Sequence, residues 1–271
     1  MIKVAVTGSS GFIASHIYKR LKKKFKFTLY SRKKNKRYKF INDYSKIKND
    51  NFDFLLYLSE EANSNIFNKY NNKIIKRNQK ILDILSRRFK AKLIYFSSAA
   101  VYSDKNKEKI KENFKLFPKT KYSSNKLLCE KIVKKNKGII LRLTNIVGRK
   151  MPSRNIVTAV LKQLLNKNVK VVKIQNKFPI RDFLHIDDLV DLVDKIFLWP
   201  KHGIYNVGSG YGFKIENLVK QIIKHKNSKA KIFSDSTLDN FSKKVLDIKK
   251  VCNTFKWKPK IKISRNIQKI L

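Results

Sequence analysis

Acid is scarce in this chain: 19 Asp and Glu stand against 64 Lys and Arg in 271 residues, a formal net charge of +45. Cysteine is scarcer still. Cys129 and Cys252 are too few for a disulfide framework and lack the spacing of a zinc site. His16, His185, His202 and His225 share no ligand spacing either, so no metal is expected. No run reaches the roughly 18 apolar residues of a membrane-spanning helix, which argues against a membrane protein. The opening Met1-Ile2-Lys3-Val4-Ala5-Val6 passes straight into a glycine turn, unlike a secretory leader, and with so few thiols a reducing cytoplasm is the expected location. No Pro/Gly/Ser-rich linker and no repeat divides the chain. What remains is 42% hydrophobic and 11% aromatic, enough for a real core, which excludes disorder.

The positive charge invites a nucleic-acid reading, because Lys and Arg neutralise phosphates. Its distribution argues otherwise. Lysine is spread through nearly every expected element and outnumbers Arg about five to one, whereas base and phosphate readers lean on the bidentate Arg fork. Lys, Asn, Ile, Phe and Tyr are the residues of A/T-rich codons, so compositional bias accounts for the excess. No specific nucleic-acid partner is expected, only a weak attraction for polyanions.

Strand-like and helix-like runs alternate. Ile2–Thr7 is β-rich, residues 8–11 are a turn, and from Phe12 apolar residues recur at helical spacing to about Lys23. Strands are expected at 27–31, 38–41, 52–58, 92–97 and 138–143, with helices at 74–88 and 122–135. The gap between the second and third strands is too short for a crossover helix. This order specifies an α/β fold, a doubly wound parallel sheet covered on both faces. Beyond Gly148 helices near 154–166, 187–198, 213–224 and 247–255 alternate with short strands, reading as a smaller α+β portion over the sheet's C-terminal edge. The expected division is 1–149 for dinucleotide binding and 150–271 for substrate, with about 181–208 interleaved.

Thr7-Gly8-Ser9-Ser10-Gly11-Phe12-Ile13-Ala14 lies between the first strand and the first helix. Gly8 permits the tight turn, Gly11 clears space for a pyrophosphate at a helix N-terminus, and Ala14 stands where a third glycine is usual. Gly8, Ser10, Gly11, Phe12 and Ile13 are therefore the expected cofactor contacts. NAD sites place a carboxylate after the second strand to accept from the ribose 2′-OH. Here Ser31-Arg32 takes that place, with no acid. Arg32 can pair the 2′-phosphate of NADP, or can belong to the general basic background. NADP is the expected cofactor and NAD the second choice.

Tyr122 and Lys126 stand four apart on one helix face, where an ammonium favours the phenolate of a proton-exchanging tyrosine. That pair alone is near chance in so Lys- and Tyr-rich a chain. Upstream, Tyr95-Phe96-Ser97-Ser98-Ala99-Ala100-Val101-Tyr102 offers a hydroxyl at a strand end.

Together with the segments Leu141–Gly148, Ile180–Asp188, Tyr205–Gly210 and Phe255–Pro259, these pieces make the chain resemble the extended short-chain dehydrogenase/reductases, which are NAD(P)-dependent nucleotide-sugar epimerases, dehydratases and ketoreductases with a Rossmann-like sheet. The resemblance covers nearly the whole length. It implies that Ser98 hydrogen-bonds the reacting sugar oxygen, Tyr122 is the general acid/base, and Lys126 holds the nicotinamide ribose. It also implies that Asp43 contacts the adenine, Leu58 lines the cofactor pocket and Thr144 sits near the nicotinamide. Asn145 would meet the substrate, and Arg181 the substrate diphosphate, unless Arg181 and Asp182 form a structural ion pair. Val207–Gly210 and Trp257 read as turn and core. A homodimer through the exposed apolar positions of 74–88 and 127–133 is the family expectation.

Departures narrow the reaction. The family's 4,6-dehydratases carry an Asp-Glu pair where this chain has Ala99-Ala100, which disfavours dehydration. The fourth strand ends Tyr57-Leu58-Ser59-Glu60 in place of His-Leu-Ala-Ala, and the sequence gives no account of Glu60 and Glu61. Ser234–Lys244 lacks the usual second phosphate-binding Arg, for which Lys243 or Lys244 could substitute. The expected function is hydride transfer at C4 of a nucleotide-activated hexose, a 4-ketoreductase ahead of a 4-epimerase with bound NAD. A non-catalytic NADP-binding sensor or RNA-associated protein is the remote alternative.

Overall fold

The computed structural model describes residues 1–153, 155–235 and 242–271. Seven parallel strands form the main sheet: β1 (Lys3–Thr7), β2 (Lys26–Ser31), β3 (Lys39–Phe40), β4 (Phe54–Tyr57), β5 (Leu93–Ser98), β6 (Ile139–Leu143) and a late strand, Gly203–Val207. In space the order is Gly203–Val207, β6, β5, β4, β1, β2, β3. The chain runs outward from β1 to β3, then crosses back to place β4 on the other side of β1. Such a reversal opens a crevice at the carboxyl ends of the strands, the ligand position in this kind of sheet.

The strands read as unbroken apolar runs because both faces are covered. Alternation divides each run between two cores. Val4, Val6, Phe54, Leu56, Ile94, Phe96, Ile139 and Leu141 face one side, packed under α1 (Phe12–Leu21) and α6 (Ile186–Leu198). Ala5, Leu55, Tyr57, Leu93, Tyr95 and Ile140 face the other, under α3 (Asn72–Phe89) and α4 (Lys121–Lys135). Between β4 and α3 lies the short α2 (Ser64–Phe67), and α5 (Ile156–Gln163) follows β6. Residue 154, the first of the helix expected near 154–166, lies outside the described residues.

The scarce acids hold elements together. Asp191 and Asp194 of α6 pair with Arg20 of α1 and with Lys24 in the turn after it, at 2.8 and 2.7 Å. Asp188 accepts from the N–H groups of Lys260 and Ile261, at 3.0 Å each, and its carbonyl accepts from the indole of the buried Trp257. Trp257 is thus core, as the sequence indicated.

The remaining strands are β7 (Asn145–Val147), β8 (Val171–Ile174), β9 (Ile180–His185), β10 (the late strand Gly203–Val207), β11 (Gly212–Lys214), β12 (Lys231–Ser234) and β13 (Lys243–Lys244). β9 lies between β11 and β13 and also pairs with β7, whereas β8 and β12 pair separately. They pack with α5 and α7 (Ile215–His225) around a third core, and α8 (Lys249–Phe255) lies against β10. The main sheet is not continuous in sequence, because α6 and β10 return to it after β9 has entered the second sheet.

Candidate active site

The glycine turn is shaped by a close approach. Gly8 has φ +64°, and a Cβ there would lie 2.4 Å from the Leu58 carbonyl oxygen, where the chain leaves β4. Only glycine lets the ends of β1 and β4 meet so closely. The Gly8 N–H donates to the Tyr44 hydroxyl at 3.3 Å, and the Leu58 N–H donates to Thr7 Oγ1 at 3.1 Å. Gly11 caps α1 without a side-chain acceptor, so the first N–H groups of the helix, at Phe12 and Ile13, have no side-chain cap. Ser10 is exposed beside them. A cradle too tight for a Cβ, followed by uncapped helix N–H groups, fits the diphosphate of a dinucleotide.

At the end of β2 the buried Ser31 hydroxyl accepts from the Lys33 N–H at 3.0 Å, while the exposed Arg32 guanidinium lies 5.6 Å from the centre of the Tyr44 ring. Asp43 accepts from the Ser45 N–H at 2.9 Å. That bond holds its carboxyl below the usual range against the opposing effect of burial, with help from Arg77 and Lys46.

Helix α4 starts at a capping box in which Thr120 and Ser123 exchange side-chain and backbone bonds. This fixes Tyr122 in the first turn, where its N–H donates to Asn68 Oδ1 at 3.0 Å and its ring meets Phe67 edge-on. One turn on, Lys126 is buried, with its Nζ 5.8 Å from the Tyr122 ring centre. Ser98 ends β5 and accepts from the Ala100 N–H at 3.1 Å. Ser98 and the glycine turn stand at the carboxyl edge of the sheet, where β5, β4 and β1 are consecutive neighbours.

Glu60, which the sequence left without an account, reaches the centre of this arrangement. Its Oε2 accepts from Lys126 Nζ at 2.5 Å and from the Tyr95 hydroxyl at 2.7 Å; its Oε1 accepts from Cys129 Sγ at 3.4 Å. Lys126 also donates to the Phe96 carbonyl at 2.8 Å. Burial by itself would depress the Lys126 ammonium; the Glu60 carboxylate outweighs it and holds the group above its ordinary value. Burial pushes the Cys129 thiol up, and Glu60 pushes it further. The one available signal was a charged residue three positions past the end of a four-residue buried strand. Glu61 instead accepts from the Asn63 N–H at 2.6 Å.

Thr144 and Asn145 both donate to the Asp182 carbonyl, at 2.7 and 2.9 Å. Arg181 and Asp182 do not pair, which overturns the structural ion-pair reading. Adjacent strand residues point to opposite faces. Asp182, fully buried, accepts from Ser209 Oγ and from the N–H groups of Ser209, Gly210 and Leu246. Burial raises its carboxyl and these bonds oppose the shift. Arg181 turns the other way, donates to Ser242, and lies 4.0 Å from Asp104. Burial lowers its guanidinium and also brings the neighbouring Lys244 to about 8. Of the stretch 234–244, residues 236–241 lie outside the described residues. No group of His, Cys, Asp and Glu able to hold a metal occurs among the described residues, and none of the described helices is long and apolar enough to cross a membrane.

Comparison with known proteins gives the same setting. The reductase "dTDP-4-dehydro-6-deoxyglucose reductase" of Escherichia coli is 25% identical over 190 residues, 66% of this chain and 60% of that protein. The chain thus spans about three fifths of that relative's length. A UDP-glucuronic acid 4-epimerase of Bacillus cereus, solved with its sugar nucleotide and NAD, superposes with TM-score 0.83 at 20% identity, covering 99% of this chain and 98% of that one. RMD of Pseudomonas aeruginosa, solved with NADPH, gives 0.84 at 19% identity, covering 100% and 96%. These superpositions establish the shared fold. The family model "NAD dependent epimerase/dehydratase family" matches residues 4–208, more than half the chain, and the protein belongs to that family.

Proposed function

We propose that the protein is an NAD(P)-dependent nucleotide-sugar oxidoreductase acting at C4 of the hexose, a 4-ketoreductase that uses NADPH. The observation that carries this reading is the meeting of the Gly8–Gly11 cradle, Ser98 and the Tyr122–Lys126 helix across adjacent strands of one sheet edge. A bound nicotinamide supplies hydride exchange with the sugar carbon. The chain supplies the rest. Phe12 and Ile13 N–H groups bind the cofactor diphosphate, Lys126 holds the ribose, and Ser98 donates to the sugar carbonyl oxygen. Tyr122 gives its hydroxyl proton to the forming alkoxide, becoming a phenolate that solvent reprotonates.

Arg32 with no acid beside it supports NADP, by bidentate pairing to a 2′-phosphate. Arg181 and Lys244 lie together with Asp104 as their shared acid, which supports a diphosphate in their midst. The residue pair Ala99-Ala100 supports reduction over elimination. The division into 1–149 and 150–271, and a homodimer through the exposed Ile74 of α3 and Leu128 of α4, belong to the same reading.

The test begins with mass spectrometry of dinucleotide released from denatured protein, followed by titration of NADPH and NADH. A site that prefers NADPH at least tenfold, about 1.4 kcal/mol, and then turns over a 4-keto sugar nucleotide supports the reading. Retained NAD with weak NADPH binding makes the protein a 4-epimerase instead. Binding of neither dinucleotide removes the oxidoreductase reading altogether.

A further inference from the structure

Glu60, which pairs with Lys126, is a buried acid at the sheet edge that the reaction above does not use. Both side chains are nearly out of water, at 9% and 7% exposure, and their charged atoms are 2.5 Å apart. Glu60 follows Leu58 and Ser59, whose backbone closes on Gly8 of the diphosphate turn, and it ends on the lysine of the catalytic helix. It therefore connects the glycine turn to helix α4. The groups around the pair are Tyr57 on β4, Tyr95 on β5, and Tyr122 and Cys129 on α4. Lys126 is the cation in this set and Glu60 is its counter-charge.

The two forms of a nicotinamide cofactor differ at this point. The oxidised ring carries a positive charge, and the reduced ring is neutral. A lone buried ammonium repels the oxidised ring selectively; an ammonium neutralised by a carboxylate does not. We propose that Glu60 is a positioning residue that anchors Lys126 and cancels its charge, so that the site tolerates the oxidised cofactor far better than Lys126 alone would allow. The inference rests on the dinucleotide reading of the site, and it concerns the balance between cofactor forms, not their common affinity.

The experiment measures dissociation constants of the oxidised and reduced forms of the preferred dinucleotide at neutral pH, for wild type and variants. Glu60→Gln adds one net positive charge and raises the oxidised-to-reduced ratio of the constants about tenfold. Lys126→Met leaves Glu60 alone and moves the ratio the opposite way. The double variant, again neutral, returns near the wild-type ratio. Contacts to the ribose are common to both forms and cancel in the ratio. Should Glu60→Gln fail to fold, Lys126→Met and the double variant still carry the test. Glu60→Asp, keeping the charge, holds the ratio near wild type. Ratios that stay equal across folded variants overturn the proposal and mark the pair as structural. Failure of wild type to bind either form overturns the dinucleotide reading instead.

Discussion

Gly8 and Lys244 show how much a single residue decides. At Gly8 a side chain has no room, since its Cβ would fall 2.4 Å from a backbone oxygen and the φ of +64° disfavours L-residues. Gly8→Ala is expected to cost roughly 1–3 kcal/mol from backbone strain, more once the clash is relieved by moving the β4 end. Urea unfolding would read the loss, and dinucleotide affinity should fall with it. Lys244 sits beside Arg181 and Asp104, and burial brings its ammonium from 10.5 to about 8 while Arg181 and Lys119 push the same way and Asp104 opposes them. The sign follows directly. The ammonium is charged below about 8 and neutral above. Affinity for a nucleoside diphosphate should hold at neutral pH and fall as pH rises through that value. Lys244→Met should weaken binding and flatten this dependence, both visible by titration calorimetry with uridine or thymidine diphosphate.

At the scale of elements, the chemistry proposed for Tyr122 and Lys126 depends on how α4 is seated. Cys129, Glu130 and Val133 follow Lys126 on its buried face. Glu130 forms a bidentate pair with Arg142 of β6 at 2.6 to 3.1 Å, both side chains almost wholly buried, and also accepts from Ser97 of β5. Arg142 continues to the Tyr102 hydroxyl, which donates to Asn206 of β10. The network thus connects α4 to three strands. Removing one partner leaves a buried charge without its counter-charge, so Glu130→Ala should destabilise the fold by about 3–5 kcal/mol. Replacing Glu130 and Arg142 together by Met and Leu should cost less. Equilibrium denaturation of the three proteins separates these outcomes.

Over the whole molecule the excess of lysine is a surface property. Binding to nonspecific DNA or RNA should collapse between about 50 and 200 mM salt without sequence preference; a salt-resistant, sequence-selective complex would contradict this. The dimer proposed above gives a second check. Leu128 is 48% exposed and Ile74 42%, on two helices that pack side by side. Leu128→Glu should shift the mass measured by light scattering from dimer to monomer while leaving the circular dichroism spectrum unchanged.

Local chemistry was legible in the sequence. The strand runs, the helix positions and the loop between β2 and β3 follow from periodicity and length. The glycine turn follows from its place between β1 and α1. Tyr122 and Lys126 share a face because four residues make about one helical turn. Relations between distant segments were not legible. Nothing in the sequence couples Glu60 to Lys126, separated by 66 positions, or Arg181 to Ser242 rather than to Asp182. Adjacent residues can seem to be partners, yet the pleat of β9 sends their side chains to opposite faces. Sequence alone therefore determined the elements and the site's chemical types. Tertiary structure decided which charges cancel, because a buried ion takes its partner from whatever strand or helix the fold brings beside it.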